Sequence, residues 1–469
     1  MSIVRVEHDS LGQIIVPEAV YWGAQTARAV QNFQISGYYF SQYPCLIRGL
    51  AMVKQAAATA NFEIGRLSET KCHAIVRACE CVRAGMLDDQ FPTDMMQGGA
   101  GTSANMNMNE VIANRGLEFI GIAKGRYDQL HPNDDVNLSQ STNDVFPTAI
   151  RIAIAAKSIF LGEALKNLAE AFNLKGQDHL AIMKLGRTQL QDAVPMRLGD
   201  ELAAFGTVLG SEIDRLKEAK VLMHEVNLGG TAIGTGINAG SKFSSIALQT
   251  LSKISGIDLH QSSDLIAASW DVGAFVSFSG VLKQIAVKLS KIASDLRLLA
   301  SGPQGGIGEI RLPPRQPGSS IMPGKINPVI AEMVNQVCFQ VIANDLAVGM
   351  AAQAGQLQLN AFEPLIAYNI FNSLKMLTNA VKTFTELCVE GIQAQPDVCR
   401  QNLNKSAGSA TALVPLLGYE IAAEIATRAL ASGESVRELA IQAGLSEDEV
   451  DQLLDLDSLV AGGVEQCAE

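Results

Sequence analysis

Aromatic residues are scarce in this chain. They make up 5% of 469 residues, and only two are tryptophan. Hydrophobic residues nonetheless reach 48%, so Ala, Leu, Ile and Val must fill most of the core, which favours packed helices. Positive charge is also short. Lys and Arg number 36 against 48 Asp and Glu, for a net charge of −12, and the basic residues are scattered. That balance argues against a nucleic-acid partner. It also repels anions at long range, so an anionic substrate would have to be held by local donors. The opening MSIVRVEHDSLGQI has neither the basic start nor the apolar segment of a secretory leader, and no stretch offers about 20 consecutive apolar residues. The expectation is a cytoplasmic protein with no membrane partner.

Metal and hydrolase signals are missing too. The eight cysteines are dispersed. Cys72, His73, Cys79 and Cys81 have no second ligand pair at zinc-site spacing, and Cys79 and Cys81 point apart on a helix. Reduced thiols and no metal site are expected. GxSxG is absent, and His131 and His179 have no acid and serine at readable spacing. LGGTAIGTGIN matches neither the dinucleotide fingerprint nor the P-loop.

What remains is helix and loop. The length suggests about three domains of roughly 150 residues. The divisions fall at 1–142, with turns and polar loops; 143–395, with long apolar segments; and 396–469, shorter and more charged. In the middle part Leu202, Phe205, Leu209, Ile213 and Leu216 share one helical face, as do Leu282, Ile285, Leu289, Ile292, Leu296 and Leu299. Runs of about 25 to 30 residues side by side predict a bundle. Stretches such as LAVGMAAQAGQLQLNAF leave outer faces apolar, so subunit association is expected. GESVRELAIQAGLSEDEVDQLL reads as two short helices broken at Gly444, with Ser446 and Glu449 as a capping box.

Four polar segments interrupt the helical pattern. GGAGTSANMNMNE carries Thr102 and Ser103, and HPNDDVNLSQSTND carries Ser141, Thr142 and Asn143. KLGRTQLQDAVP carries Thr188 and Gln189. GSSIMPGKINP carries Ser319, Ser320, Lys325 and Asn327. Read singly, such residues are caps. Together they describe neutral hydrogen-bond donors around one lysine, a set suited to a small carboxylate.

GSSIMPGKINP resembles the signature loop of the fumarase/aspartase superfamily. GGAGTSANMNMNE, HPNDDVNLSQSTNDVFPTA, GRTQLQDAVPMRLGDE, LGGTAIGTGIN and EMVNQVCFQVIAND resemble family segments in family order, and the likeness covers most of the chain. It implies a mainly α, three-domain fold whose central long-helix bundles pack into a homotetrameric core, with active sites shared between subunits. It also implies proton removal next to a carboxylate of a small dicarboxylate, then loss of a leaving group to give fumarate. By resemblance Ser319 is the general base, and Lys325 holds a carboxylate and its developing charge. Thr102, Ser141, Thr142, Asn143, Thr188, Gln189 and Asn327 bind substrate, while Ser103, Ser320 and Glu332 support them. No obligatory cofactor is implied; an activating divalent cation stays open.

Fumarases usually carry histidine at the position of Gln189, paired with a glutamate corresponding to Glu332. Hydroxide needs a proton to leave, and glutamine cannot titrate. Ammonium is already protonated. The expectation is therefore ammonia loss from L-aspartate. The alternatives are a class II fumarase and a C–N lyase of an N-substituted aspartate. Two positions depart from the family pattern: Val414 replaces an asparagine before Pro415, and Asp135 replaces a histidine common in the HPND segment.

Overall fold

The computed structural model describes residues 3–318, 320–455 and 459; Ser319 lies outside them. A hairpin opens the chain, β1 (Val4–Asp9) with β2 (Gly12–Pro17). Helices α1 (Ala24–Asn32), α2 (Pro44–Glu63), α3 (Glu69–Arg83), α4 (Thr102–Phe119) and α5 (Thr142–Asp178) follow. A second hairpin, β3 (Met183–Thr188) with β4 (Gln191–Arg197), leads into α6 (Leu198–Val221). Next come β5 (Glu225–Val226), α7 (Ser241–Ser255), β6 (His260–Gln261), α8 (Leu265–Ala268) and α9 (Gly273–Leu299). β7 (Ile310–Arg311) pairs antiparallel with β8 (Gln393–Ala394), and α10 (Val329–Gln353) and α11 (Glu363–Phe384) lie between them in sequence. α12 (Pro396–Lys405), α13 (Val414–Ser432), α14 (Val436–Gln442) and α15 (Glu447–Leu453) follow.

The fold is mainly helical, built on a long-helix bundle. Its five long members have 37, 24, 27, 25 and 22 residues (α5, α6, α9, α10 and α11). The apolar periodicity marks their inner faces. All six leucine and isoleucine positions read on α9 are buried, as are Leu202, Phe205, Leu209 and Leu216 on α6. Helices of this length are stabilised by that burial rather than by propensity.

The chain divides into two compact units. One comprises Met1–Gly162, Asp214–Ala286 and Gln340–Leu377; the other comprises Glu163–Ile213, Val287–Phe339 and Thr378–Glu469. In the first, α9 meets α10 where Ser279 donates to Asp345 at 2.8 Å, and α10 meets α11 where Asn344 donates to Ser373 at 3.0 Å. In the second, the Phe172 ring stands edge-on to Phe205 and Phe384 at 5.5 and 6.3 Å. Its C-terminal helices pack around Leu413, Ile425, Leu439 and Val450. The Ser446–Glu449 capping box forms as read, and a second one forms at Ser435–Glu438. The three divisions read from the sequence follow chain order, whereas these units gather segments that pack together.

Two expectations need correction. SANMNMNE is buried helix, not loop: Asn105, Asn107, Asn109 and Asn114 all lie inside α4 with little or no exposure. Asparagine is a poor helix former because it competes for backbone hydrogen bonds. Here tertiary partners override that preference, as when Asn107 donates to Gln90 O at 3.0 Å and Asn114 to Tyr21 O at 2.7 Å. KLGRTQLQDAVP is a β-hairpin rather than a loop, and its turn lacks the Asn-Gly pair that would have marked it. Two helical stretches have the length and mean hydropathy of a membrane span, and neither contains about 20 consecutive apolar residues. One is α5, two-thirds buried in the fold over its most apolar window; the other is Gly408–Ser432, 22% buried and non-helical at Gly418.

Candidate active site

In the first unit the candidate hydroxyls stand at helix starts. Thr102 opens α4, and its hydroxyl donates to Gly99 O at 2.6 Å; Ser103 follows, half-buried. Ser141 precedes α5 and exchanges bonds with its first turn. Asn143 N donates to Ser141 Oγ at 3.3 Å, and Ser141 N donates to Asp144 Oδ1 at 3.0 Å. Asn143 is tied through its side chain, which donates to Ala232 O at 2.8 Å, and its carbonyl accepts from Asn227 at 2.9 Å.

Behind these residues lies a buried polar network that sequence reasoning missed. Asn137 Oδ1 accepts from Lys54 Nζ at 2.7 Å and from the side-chain amides of Asn105 and Asn109, each at 3.2 Å. Asn105 also donates to Thr142 Oγ1 at 3.0 Å. Asp144 has no exposed surface and takes Gly229 N and Thr231 N on Oδ2, both at 3.0 Å. Burial pulls the Lys54 amine down to about 7, opposed by the charge of Asp144. It pushes the Asp144 carboxyl up to about 6, opposed by the backbone N–H groups of Ser141, Thr231 and Gly229. LGGTAIGTGIN is therefore a brace for the start of α5, since two of its backbone amides hold Asp144. The only hint in the sequence was a lone lysine inside the apolar LAMVKQAAATAN.

Asp135 is also accounted for. It accepts Lys71 Nζ at 2.8 and 2.7 Å and His131 N at 2.7 Å, pinning the HPND turn to α3. His131 Nδ1 is itself an acceptor for two backbone amides of that turn.

In the second unit Thr188 and Gln189 stand exposed at the tip of the β3–β4 hairpin. Both turn residues, Gln189 and Leu190, have positive φ, 54° and 61°. A two-residue hairpin turn demands that conformation, and side chains other than Gly or Asn adopt it at a cost of about 1–3 kcal/mol each. Farther along, residues 320–326 are all exposed, Lys325 among them, and Asn327 and Glu332 are half-buried. Lys325 N donates to Met322 O at 3.2 Å, closing a turn. Gly318 lies against the returning chain: a Cβ there would meet Lys325 O at 2.0 Å. Ser320 sits on the same exposed segment, and Ser319 is outside the described residues. Thr188 and Gln189 thus share one tip, and Ser141, Thr142 and Asn143 share one helix start. Val414 begins α13, with Pro415 in its first turn. Among the described residues no cluster of three or more His, Cys, Asp or Glu is placed to hold a metal ion.

The lyase family model matches residues 12–343, and the fumarase C C-terminal model matches residues 410–461. The chain belongs to the fumarase/aspartase superfamily. It is 56% identical over 459 residues to the aspartate ammonia-lyase of Pseudomonas fluorescens, covering 97% of this chain and 96% of that one. It is 48% identical over 459 residues to the Escherichia coli K12 aspartate ammonia-lyase, with 97% and 96% covered. A crystal structure of a Brucella melitensis fumarate lyase:delta crystallin bound to cobalt superposes with a TM-score of 0.94 at 56% identity, covering 97% of this chain and 99% of that one. A Schistosoma mansoni class II fumarase gives 0.93 at 35% identity, with the same coverage.

Proposed function

We propose that this chain eliminates ammonia from L-aspartate in the anti sense, giving fumarate reversibly. Ser319 is the base that removes the proton from the carbon next to a carboxylate. Removal leaves a second negative charge on that carboxylate, an enediolate, and stabilising it is the main catalytic task. Lys325 and Asn327 meet that charge. Thr102, Ser141, Thr142, Asn143, Thr188 and Gln189 hold the two carboxylates and the amine through neutral donors and acceptors. The braced start of α5 supports this role, because donors held in place before substrate arrives need no reorganisation during the reaction. A serine hydroxyl is too weak an acid to serve as base in water, so the exposed segment from Ser320 to Ile326 must close and exclude solvent. Ser103, Ser320 and Glu332 shape these loops.

Gln189 carries the choice of leaving group. It cannot deliver a proton to hydroxide, whereas ammonium leaves as ammonia without one. The aspartate ammonia-lyases that align over nearly the whole chain support the same choice. The enzyme acts as a homotetramer in the cytoplasm. The exposed apolar side chains of Phe339, Leu346 and Met350, spaced along one side of α10, support association. A divalent cation is at most an activator.

The test is purified protein given L-aspartate and L-malate in parallel, with fumarate followed by its ultraviolet absorbance and ammonia assayed alongside. Fumarate from aspartate only, with matching ammonia, is the expected result. Fumarate from malate only would make the chain a fumarase. Silence with both, from a well-folded protein, would point to an N-substituted aspartate or to lost catalysis.

A further inference from the structure

Glu309 is fully buried one residue before β7, in the second unit, and three parts of that unit converge on it. From the β3–β4 hairpin, Arg187 donates to Oε1 at 3.0 Å, and the Lys184 ammonium lies 3.1 Å from Oε2. Lys184 also holds Glu201 of α6 at 2.6 Å. From α12, Asn402 donates to Oε1 at 3.2 Å and to Ile307 O at 3.2 Å. From the segment before α12, Gln395 N donates to Glu309 O at 2.8 Å, continuing the β7–β8 ladder. The stretch after α12 also touches the hairpin: a Cβ on Gly408 would lie 1.8 Å from Ala193 O. Arg187 immediately precedes Thr188 in the chain, and β7 is the root from which the segment carrying Lys325 departs.

We propose that Glu309 is a positioning residue for the elimination, locking the Thr188–Gln189 turn and the root of the GSSIMPGKINP loop to the C-terminal segment. This rests on the role assigned above to Thr188 and Gln189. A carboxylate shared by an arginine, a lysine and an amide fixes direction as well as distance. The hairpin tip stands exposed and carries two residues at positive φ. A shift of the C-terminal segment would therefore reach the tip through Asn402 and Glu309.

Two readouts test this. Amide hydrogen exchange over 183–197, measured without substrate, should quicken severalfold in Asn402→Leu, which leaves the ion cluster intact. With aspartate, Arg187→Met should lower kcat/KM by about 10–100-fold, and Arg187→Lys should recover part of that loss. Glu309→Gln should match Arg187→Met if it folds. Unchanged exchange in Asn402→Leu overturns the coupling. Wild-type kinetics in a folded Arg187→Met overturns the positioning role. Silence of the wild type toward aspartate removes the functional reading instead, and the exchange result still decides the coupling.

Discussion

The start of α5 and the loop segment from Ser320 to Ile326 are built in opposite ways. Ser141 and Thr142 rest on Asn105, Lys54 and Asp144, all buried, and on half-buried Asn137, while Asn143 is tied to Ala232 and Asn227. The residues from Ser320 to Ile326 are exposed throughout, on a base narrowed by the contact of Gly318 with Lys325 O. Buried polar groups must be satisfied, so the first region is held to one arrangement. Exposed backbone can bond to water in many arrangements, so the second can change shape at low cost. A lyase needs both. Recognition of carboxylates gains from fixed donors, while a serine base gains from arriving only once water has been shut out.

The largest test falls on Ser319, the proposed base. Ser319→Ala should cut fumarate formation about 10²–10⁴-fold, the range for losing a general base, with the oligomer unchanged on gel filtration. Substantial residual turnover would remove Ser319 from that role.

Next comes the buried region. Lys54→Met should leave Asn137 Oδ1 short of one donor and lower kcat/KM about 10–100-fold. It should also alter the pH dependence of stability. The Lys54 amine sits near 7 in the fold against 10.5 when unfolded. Between those values the unfolded chain binds the extra proton, so this group makes stability rise with pH across that window. Urea midpoints measured from pH 7 to 10 should rise less steeply in Lys54→Met than in the wild type. Equal slopes would mean that the amine is not held neutral.

Gly318→Ala probes the base of the loop. Its Cβ has no room beside Lys325 O, so the loop must open there. A drop of about tenfold in kcat with an unchanged melting midpoint is expected, and an equal loss in both would make Gly318 structural. The smallest effect is a control in α15, which belongs to neither region. Ser446→Ala removes a cap worth about 1 kcal/mol and should loosen α15 in hydrogen exchange while leaving kcat and KM alone.

Much of this molecule was legible in its sequence where a local rule governs. The inner faces of α6 and α9 follow from apolar spacing, and the Ser446–Glu449 box follows from four residues. The candidate site residues could be named because their segments resemble a family in order. Their supports could not be named. Asn105 and Asn109 read as loop residues by propensity, and nothing in the sequence marked Asp144 as a buried acceptor.

The chain by itself determined that long apolar helices would form and which polar segments would interrupt them. Periodicity and residue type are local properties, and burial of an apolar face is their direct consequence. Only the tertiary structure decided that Lys54 would be stripped of water beside Asn137, that NMNMNE would be helix, and that Glu309 would join three distant segments. Those outcomes depend on partners far away in sequence: 83 residues separate Lys54 from Asn137, and 122 separate Arg187 from Glu309. A polar group declares its role only once its surroundings fix the cost of leaving it unpaired.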